Sequence, residues 1–200
     1  MHLEAPFNMI ILGMTACGKT YYLLRLLEKE YKNKFDNIYL ICPTFPYNKT
    51  YQQWKFVNDK DFIVIPCEQD DVEYNLKKVT WIANGTNSLI ILDDCASSQA
   101  VKNRTSELVK LGFSARHYGL STIVITQQLT SIAKPYRENI SKLVSFYNPS
   151  GKDMNTIFDE YLSSIDNSEK KKIILDLKNN DYARLEVLLR IPYSYEVVIP

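Results

Sequence analysis

An apolar run, Phe7-Asn8-Met9-Ile10-Ile11-Leu12, leads directly into Gly13-Met14-Thr15-Ala16-Cys17-Gly18-Lys19-Thr20. The run has the length and branching of a buried strand. From Lys19 to about Tyr31, Leu23, Leu27 and Tyr31 fall at i, i+4 and i+8, while Glu28 and Lys29 face away. That is the period of an amphipathic helix. Strand, glycine-bounded loop and helix, in this order, make a phosphate-binding loop. The glycines let the backbone turn tightly, so that its N–H groups point at phosphate oxygens. The helix adds its positive N-terminal end. Lys19 is then expected to reach the β- and γ-phosphates, and Thr20 to ligate Mg²⁺. The whole octet, Gly13, Met14, Thr15, Ala16, Cys17, Gly18, Lys19 and Thr20, is the expected nucleotide site. A chance glycine turn is the competing reading, and the flanking strand and helix count against it.

The rest of the chain alternates in the same way. Strands are predicted over 37–41, 62–65, 88–92, 121–126 and 143–146, with helices over 68–83, 97–112 and 136–142. Residues 49–60 have no clear period. Two helices, around 154–162 and 168–178, and two closing strands, 185–191 and 195–199, complete the pattern. Such alternation implies an α/β domain with a mostly parallel central sheet flanked by helices. Residues 1–150 read as a core carrying the phosphate loop. Residues 151–200 read as C-terminal helices and closing strands packed on the same domain, a length suited to one domain.

Parallel sheets bind ligands at the carboxyl ends of their strands, and the remaining candidates fall there. Leu89-Ile90-Ile91-Leu92-Asp93-Asp94 is an apolar strand delivering two acids. Asp93 is expected to serve the metal beside Thr20, and Asp94 to polarise the attacking water. Asp94 is one methylene shorter than the Glu usual at that place. Asp is also a favoured helix cap, which gives the pair a purely structural reading. Gln127 ends the next strand, where its amide can donate and accept, as a holder of water or a sensor of the γ-phosphate. Arg116 precedes that strand. It is either a surface arginine or a guanidinium supplied to a neighbouring subunit's site, with Arg104 and Arg137 as rivals. Lys102 and Arg104 would touch a DNA backbone or simply form a solvated face. His117 reads as packing or surface.

Composition narrows the partners. The net charge of +1 gives no global basic field to draw in nucleic acid, so any grip on DNA must come from a local concentration of basic groups. The 14 tyrosines are scattered, with no interleaved basic and aromatic run. Cys17, Cys42, Cys67 and Cys95 form no C-x-x-C pair, and only His2 and His117 accompany them. They read as reduced thiols in a reducing compartment rather than a zinc site. No signal peptide is expected. The longest apolar stretches are strand-sized, so an integral membrane protein is not expected.

Gly13–Thr20, Ile90-Ile91-Leu92-Asp93-Asp94 and Ala115-Arg116 through Thr126-Gln127-Gln128 together resemble the FtsK/HerA superfamily. Within it the chain is most similar to the compact genome-packaging ATPases of poxviruses, other large DNA viruses and Polinton-like elements. The likeness covers about residues 7–147, including Asn139-Ile140-Ser141-Lys142. It implies a P-loop NTPase with a RecA-like (ASCE) core, acting as a homo-oligomeric ring that moves double-stranded DNA with ATP and Mg²⁺. It implies a capsid or portal component as partner, and work in the host cytoplasm, at sites of viral assembly, or in the virion. Carried over residue by residue, Lys19 and Thr20 bind nucleotide and metal, Asp93 serves the metal, Asp94 stands in for the base, Gln127 senses and Arg116 acts in trans. The stretch beyond about 150 has no counterpart in this resemblance. Two other readings stay open: a small nucleoside or nucleotide kinase, which needs an arginine-rich lid, and a nucleotide-gated assembly module with little turnover.

Overall fold

The structure, a computed structural model, describes residues 3–31 and 33–200; His2 therefore lies outside the described residues. Strand β1 (Asn8–Leu12) enters the phosphate loop, and α1 (Lys19–Leu26) leaves it, ending in a wider π turn at Leu27–Tyr31. Then come β2 (Asn37–Ile41), the short α2 (Lys49–Gln52), β3 (Phe62–Ile65), α3 (Val72–Ala83) and β4 (Ser88–Asp93). They are followed by α4 (Gln99–Lys102), α5 (Glu107–Tyr118), β5 (Leu120–Thr126), α6 (Lys134–Arg137) and β6 (Lys142–Phe146). Helices α7 (Gly151–Tyr161) and α8 (Asn167–Asn179) precede β7 (Arg184–Leu188) and β8 (Ser194–Val198).

The strands form one eight-stranded sheet in the order β3-β2-β4-β5-β1-β6-β7-β8. The first six in that order are parallel, and β7 and β8 add on antiparallel. Both faces of the sheet are covered, which is why its central strands read as unbroken apolar runs. Successive residues still serve opposite faces. Ile10, Leu12, Ile90 and Leu92 join the core under α3, α5, α7 and α8. Met9, Ile11, Leu89 and Ile91 join the core under α1 and Tyr51.

Three expectations change in detail. The helix predicted over 97–112 is two helices. The Asn103 side chain accepts from Thr105 N, and the Ser106 hydroxyl accepts from Val109 N, so one helix stops and a new one is capped within four residues. Helix α5 then runs through Gly112 to Tyr118, because Leu108, Leu111 and Ala115 keep the inward period. The short helix expected at 136–142 sits earlier, at Lys134–Arg137, with Pro135 in its first turn. The first closing strand stops at Leu188 rather than 191. Beyond it, Arg190 turns back to donate to the carbonyls of Glu4 and Pro6.

Candidate nucleotide site

The loop between β1 and α1 is shaped by contacts that leave no room for other residues. Gly13 N donates to the Thr126 carbonyl at 3.3 Å, pinning the loop to the end of β5. A Cβ on Gly13 would stand 2.5 Å from Cys17 Sγ and 2.8 Å from Phe146 Cβ. Gly18 caps α1 with φ 95°, a left-handed geometry that suits glycine. Lys19 folds back across the loop and donates to the Met14 carbonyl at 2.8 Å. The helix has no acid in its first turn and no side-chain cap. Its N-terminal N–H groups are therefore left to an anion.

Strand β5 separates the loop strand from β4, so Asp93 and Gly13 stand two strand spacings apart, about 10 Å at the backbone. Side chains bridge that gap. The Thr20 hydroxyl donates to Asp93 Oδ2 at 3.3 Å, and the buried Tyr51 hydroxyl donates to the same oxygen at 2.7 Å. Burial, then the neighbouring charge of Asp94, pushes the Asp93 carboxyl up to about 6, against these hydrogen bonds and Lys19. Asp94 takes a left-handed backbone, φ 56°. Its carboxylate accepts from the Thr44 hydroxyl at 2.7 Å, and its carbonyl from the Gln69 amide at 2.6 Å. The four cysteines are free thiols, and burial pushes Cys42 up to about 12, which keeps it protonated.

Gln127 meets the loop directly, its Oε1 accepting from the Thr15 hydroxyl at 3.1 Å. Behind it, Asn148 donates to the Gln127 carbonyl at 3.0 Å and to Asp153 Oδ2 at 3.2 Å. The other Asp153 oxygen accepts from both the N–H and the hydroxyl of Thr130, each at 3.1 Å. Thr44, Tyr51, Asn148 and Asp153 are thus parts of the site that sequence reading missed. Tyr51 lies where no period was visible, and a polar residue in a loop carries no mark of what it will bond.

The basic candidates separate. Arg116 is exposed on the last turn of α5, near the amino end of β5 and so at the opposite end of the sheet from its own chain's loop. Arg137 is buried and committed, its Nε donating to the Ile132 carbonyl at 3.0 Å and its Nη1 to Glu160. Arg104 is exposed between α4 and α5, and His117 is exposed beside Arg116. Lys102 donates to the Ser97 carbonyl at 3.0 Å and lines a hollow of about 410 Å³ beside Asp94 and Gln127.

A cleft of about 1250 Å³ joins Lys19, Thr20, Asp93, Asp94 and Gln127. Among the described residues no group of three or more His, Cys, Asp or Glu could hold a metal. Mg²⁺ usually takes one or two carboxylates plus substrate phosphates, and the hydroxyl–carboxylate pair of Thr20 and Asp93 fits that donor set. Among the described residues no helix is long and apolar enough to cross a membrane.

The profile of the family described as Poxvirus A32 protein matches residues 2–189. The DNA packaging protein OPG160 of variola virus is 31% identical over 188 residues, 88% of this chain and 64% of its own length. OPG160 of monkeypox virus is 30% identical over 88% of this chain and 58% of its own length. The chain thus spans less than two thirds of these relatives. Among solved structures, the genome packaging NTPase B204 of Sulfolobus turreted icosahedral virus 2, in complex with sulfate, aligns with TM-score 0.72 and 16% identity, over 99% of this chain and 98% of that one. The same NTPase has been solved with AMPPCP and with ATP-gammaS. At that identity the likeness is one of fold: a P-loop α/β core with a mostly parallel sheet.

Proposed function

The chain belongs to the poxvirus A32 protein family, and on that footing we propose that it is an ATP-driven translocase. It moves double-stranded DNA into a viral capsid and hydrolyses ATP to ADP and phosphate. The observation that carries this reading is the Thr20–Asp93 hydrogen bond across an intervening strand tipped by Gln127. One phosphate loop, one buried acid and one amide then surround a single point in the cleft. The relatives named DNA packaging protein supply the cargo.

In this reading the loop N–H groups and the α1 N-terminus hold the phosphates. Lys19 leaves the Met14 carbonyl for the β- and γ-phosphates. Thr20 and Asp93 would hold Mg²⁺, which when bound offsets phosphate charge. Asp94, oriented by Thr44, takes the proton of the attacking water. Gln127 feels the γ-phosphate at one end and, through its carbonyl and Asn148, is tied to α7 at the other. A guanidinium from a neighbouring copy, Arg116 in our assignment, completes the site in a homo-oligomeric ring. Arg116 lies at the opposite end of the sheet from its own chain's loop, which is why we assign it to a neighbour's site rather than its own. DNA contact is to phosphates and blind to sequence. The work takes place in the host cytoplasm at viral assembly sites, or in the virion, with a capsid or portal component as partner. Arg137, which a kinase lid would need free, is tied to Glu160, and this counts against a small kinase.

The test is steady-state ATP hydrolysis with and without double-stranded DNA, at low and raised salt, beside Lys19→Ala. Stimulation that fades with salt and vanishes in the variant is expected. Phosphate transfer to an added nucleoside or nucleotide, with no response to DNA, overturns the proposal.

A further inference from the structure

Tyr182 has no role in the chemistry above, yet it sits against the phosphate loop. It belongs to the turn that leads into β7, where Ala183 N donates to the Asn180 carbonyl at 3.2 Å. Its φ is 60°, a left-handed backbone uncommon for a bulky residue. The residue is 64% exposed. A Cβ built on Gly18 would touch the Tyr182 ring at 3.1 Å. A large aromatic side chain is thus held out in solvent, on an unfavourable backbone, beside a loop that binds phosphate. The same cleft that contains Lys19 and Thr20 is lined by Tyr182, Tyr22 and Arg184.

The sheet order gives this wall its meaning. Asp93 and Asp94 lie on the β4 side of the loop and mark where a terminal phosphate must point. The nucleoside must leave on the other side, toward β6 and β7. There Arg184 lies over the Tyr22 ring at 4.8 Å and donates through Nε to Glu186 Oε1 at 2.7 Å. Glu186 is in turn paired with buried Lys142 at 2.8 Å. The floor beneath the nucleoside is therefore fixed by an ion network, while the exposed Tyr182 ring lies at its edge against Gly18.

We propose that Tyr182 is the platform on which the base of the bound nucleoside triphosphate stacks, supplying affinity without selecting the base. The inference rests on the nucleotide-binding reading of the cleft given above. Every base has a π-face, so a single ring tolerates any of them. It follows that the C-terminal segment supplies part of the nucleotide site.

The experiment is calorimetric titration of the full chain with ATP, GTP and inorganic tripolyphosphate. Wild type is compared with Tyr182→Asn, Tyr182→Trp and Lys19→Ala. Asparagine accepts the left-handed backbone and removes the ring, so it tests stacking without straining the turn. Tyr182→Asn should weaken ATP and GTP alike, each about tenfold, the scale of a lost base–aromatic stack. Tripolyphosphate binding should not change, and Tyr182→Trp should bind ATP as wild type does. Equal loss of tripolyphosphate would mean that the ring only props Gly18, and would overturn the inference. Unchanged binding of all three would overturn it too, leaving the proposed function intact. A wild-type chain that binds neither ATP nor tripolyphosphate would remove the proposed function, and this inference with it.

Discussion

The Thr44 hydroxyl donates to the Asp94 carboxylate at 2.7 Å, so a residue just beyond β2 orients the acid just beyond β4. Asp94 is shorter than the Glu usual in that position, and a fixed orientation matters more for a short arm. Asp94→Asn should lower kcat by roughly 10²–10⁴-fold, the range for a lost general base, with nucleotide affinity kept. Thr44→Val keeps the shape and removes the donor. It should lower kcat by about tenfold, as for a lost hydrogen bond to a charged group. Single-turnover hydrolysis beside ATP titration separates the two effects, and wild-type turnover in both variants would exclude Asp94 from the chemistry.

Asp93 should trade stability for function. Its carboxyl stands at about 6 against an ordinary 3.8, so the folded state penalises the ionised form. The penalty is absent below pH 3.8 and complete above about pH 6. Asp93→Asn should therefore raise the stability of the nucleotide-free chain by about 1–3 kcal/mol at pH 8, and abolish hydrolysis. Denaturant unfolding at pH 8 and near pH 4 tests this: the gain should shrink in acid, and a variant less stable than wild type at pH 8 contradicts the argument.

Glu186 has the opposite sign. Burial alone would raise its pKa, but Lys142 and Arg184 hold the carboxyl below the usual range. Its contribution is present above the ordinary Glu value and is lost as pH falls through the lowered one. Glu186→Gln removes the charge that neutralises Lys142 and should cost roughly 3 kcal/mol near pH 7. Urea midpoints at neutral and acid pH report the difference, which should narrow on acidification.

Asp153 is buried and accepts from Asn148 and twice from Thr130. Asp153→Ala leaves these donors unsatisfied at a cost of about 2–4 kcal/mol, a fall in Tm of roughly 5–15 °C. Asp153→Asn keeps one acceptor oxygen and should lose less. Equal melting temperatures for the two variants would mean that the acceptor network is not what stabilises this corner.

Much of the fold was legible because its strands are buried on both faces and its helices on one. Met9–Leu12 and Leu89–Leu92 announce themselves as apolar runs, and Leu76 and Val79 as a helical stripe. The candidate loop stood out for a chemical reason, since phosphate binding demands glycine, lysine and hydroxyl at fixed spacing, and Asp93 and Asp94 stood out because they end an apolar strand; the fold brings all of them to one cleft. The break at Asn103–Ser106 was not, because two side chains bonding to backbone override an apolar period that continues across it. Tyr51, Asn148 and Tyr182 reach the site only through the tertiary path of the chain. Nothing adjacent to them in sequence says where they will arrive.

The position of β1 in the sheet has a consequence for how the chain is made. Its partners are far away in sequence: Asn8 registers with Thr122 on β5, and Met9 with Lys142 on β6. A ribosome adds about 5–20 residues each second. Strand β1 therefore waits several seconds after it is made, unpaired and almost wholly apolar, until its neighbours exist. Such long-range pairing is slow and exposes the chain to aggregation in the meantime. The phosphate loop cannot be anchored before that pairing, because Gly13 depends on Thr126. Nucleotide can thus meet a formed site only after β5 and β6 have been made, and a nascent chain that has reached β4 but not β5 is the species a chaperone would have to hold.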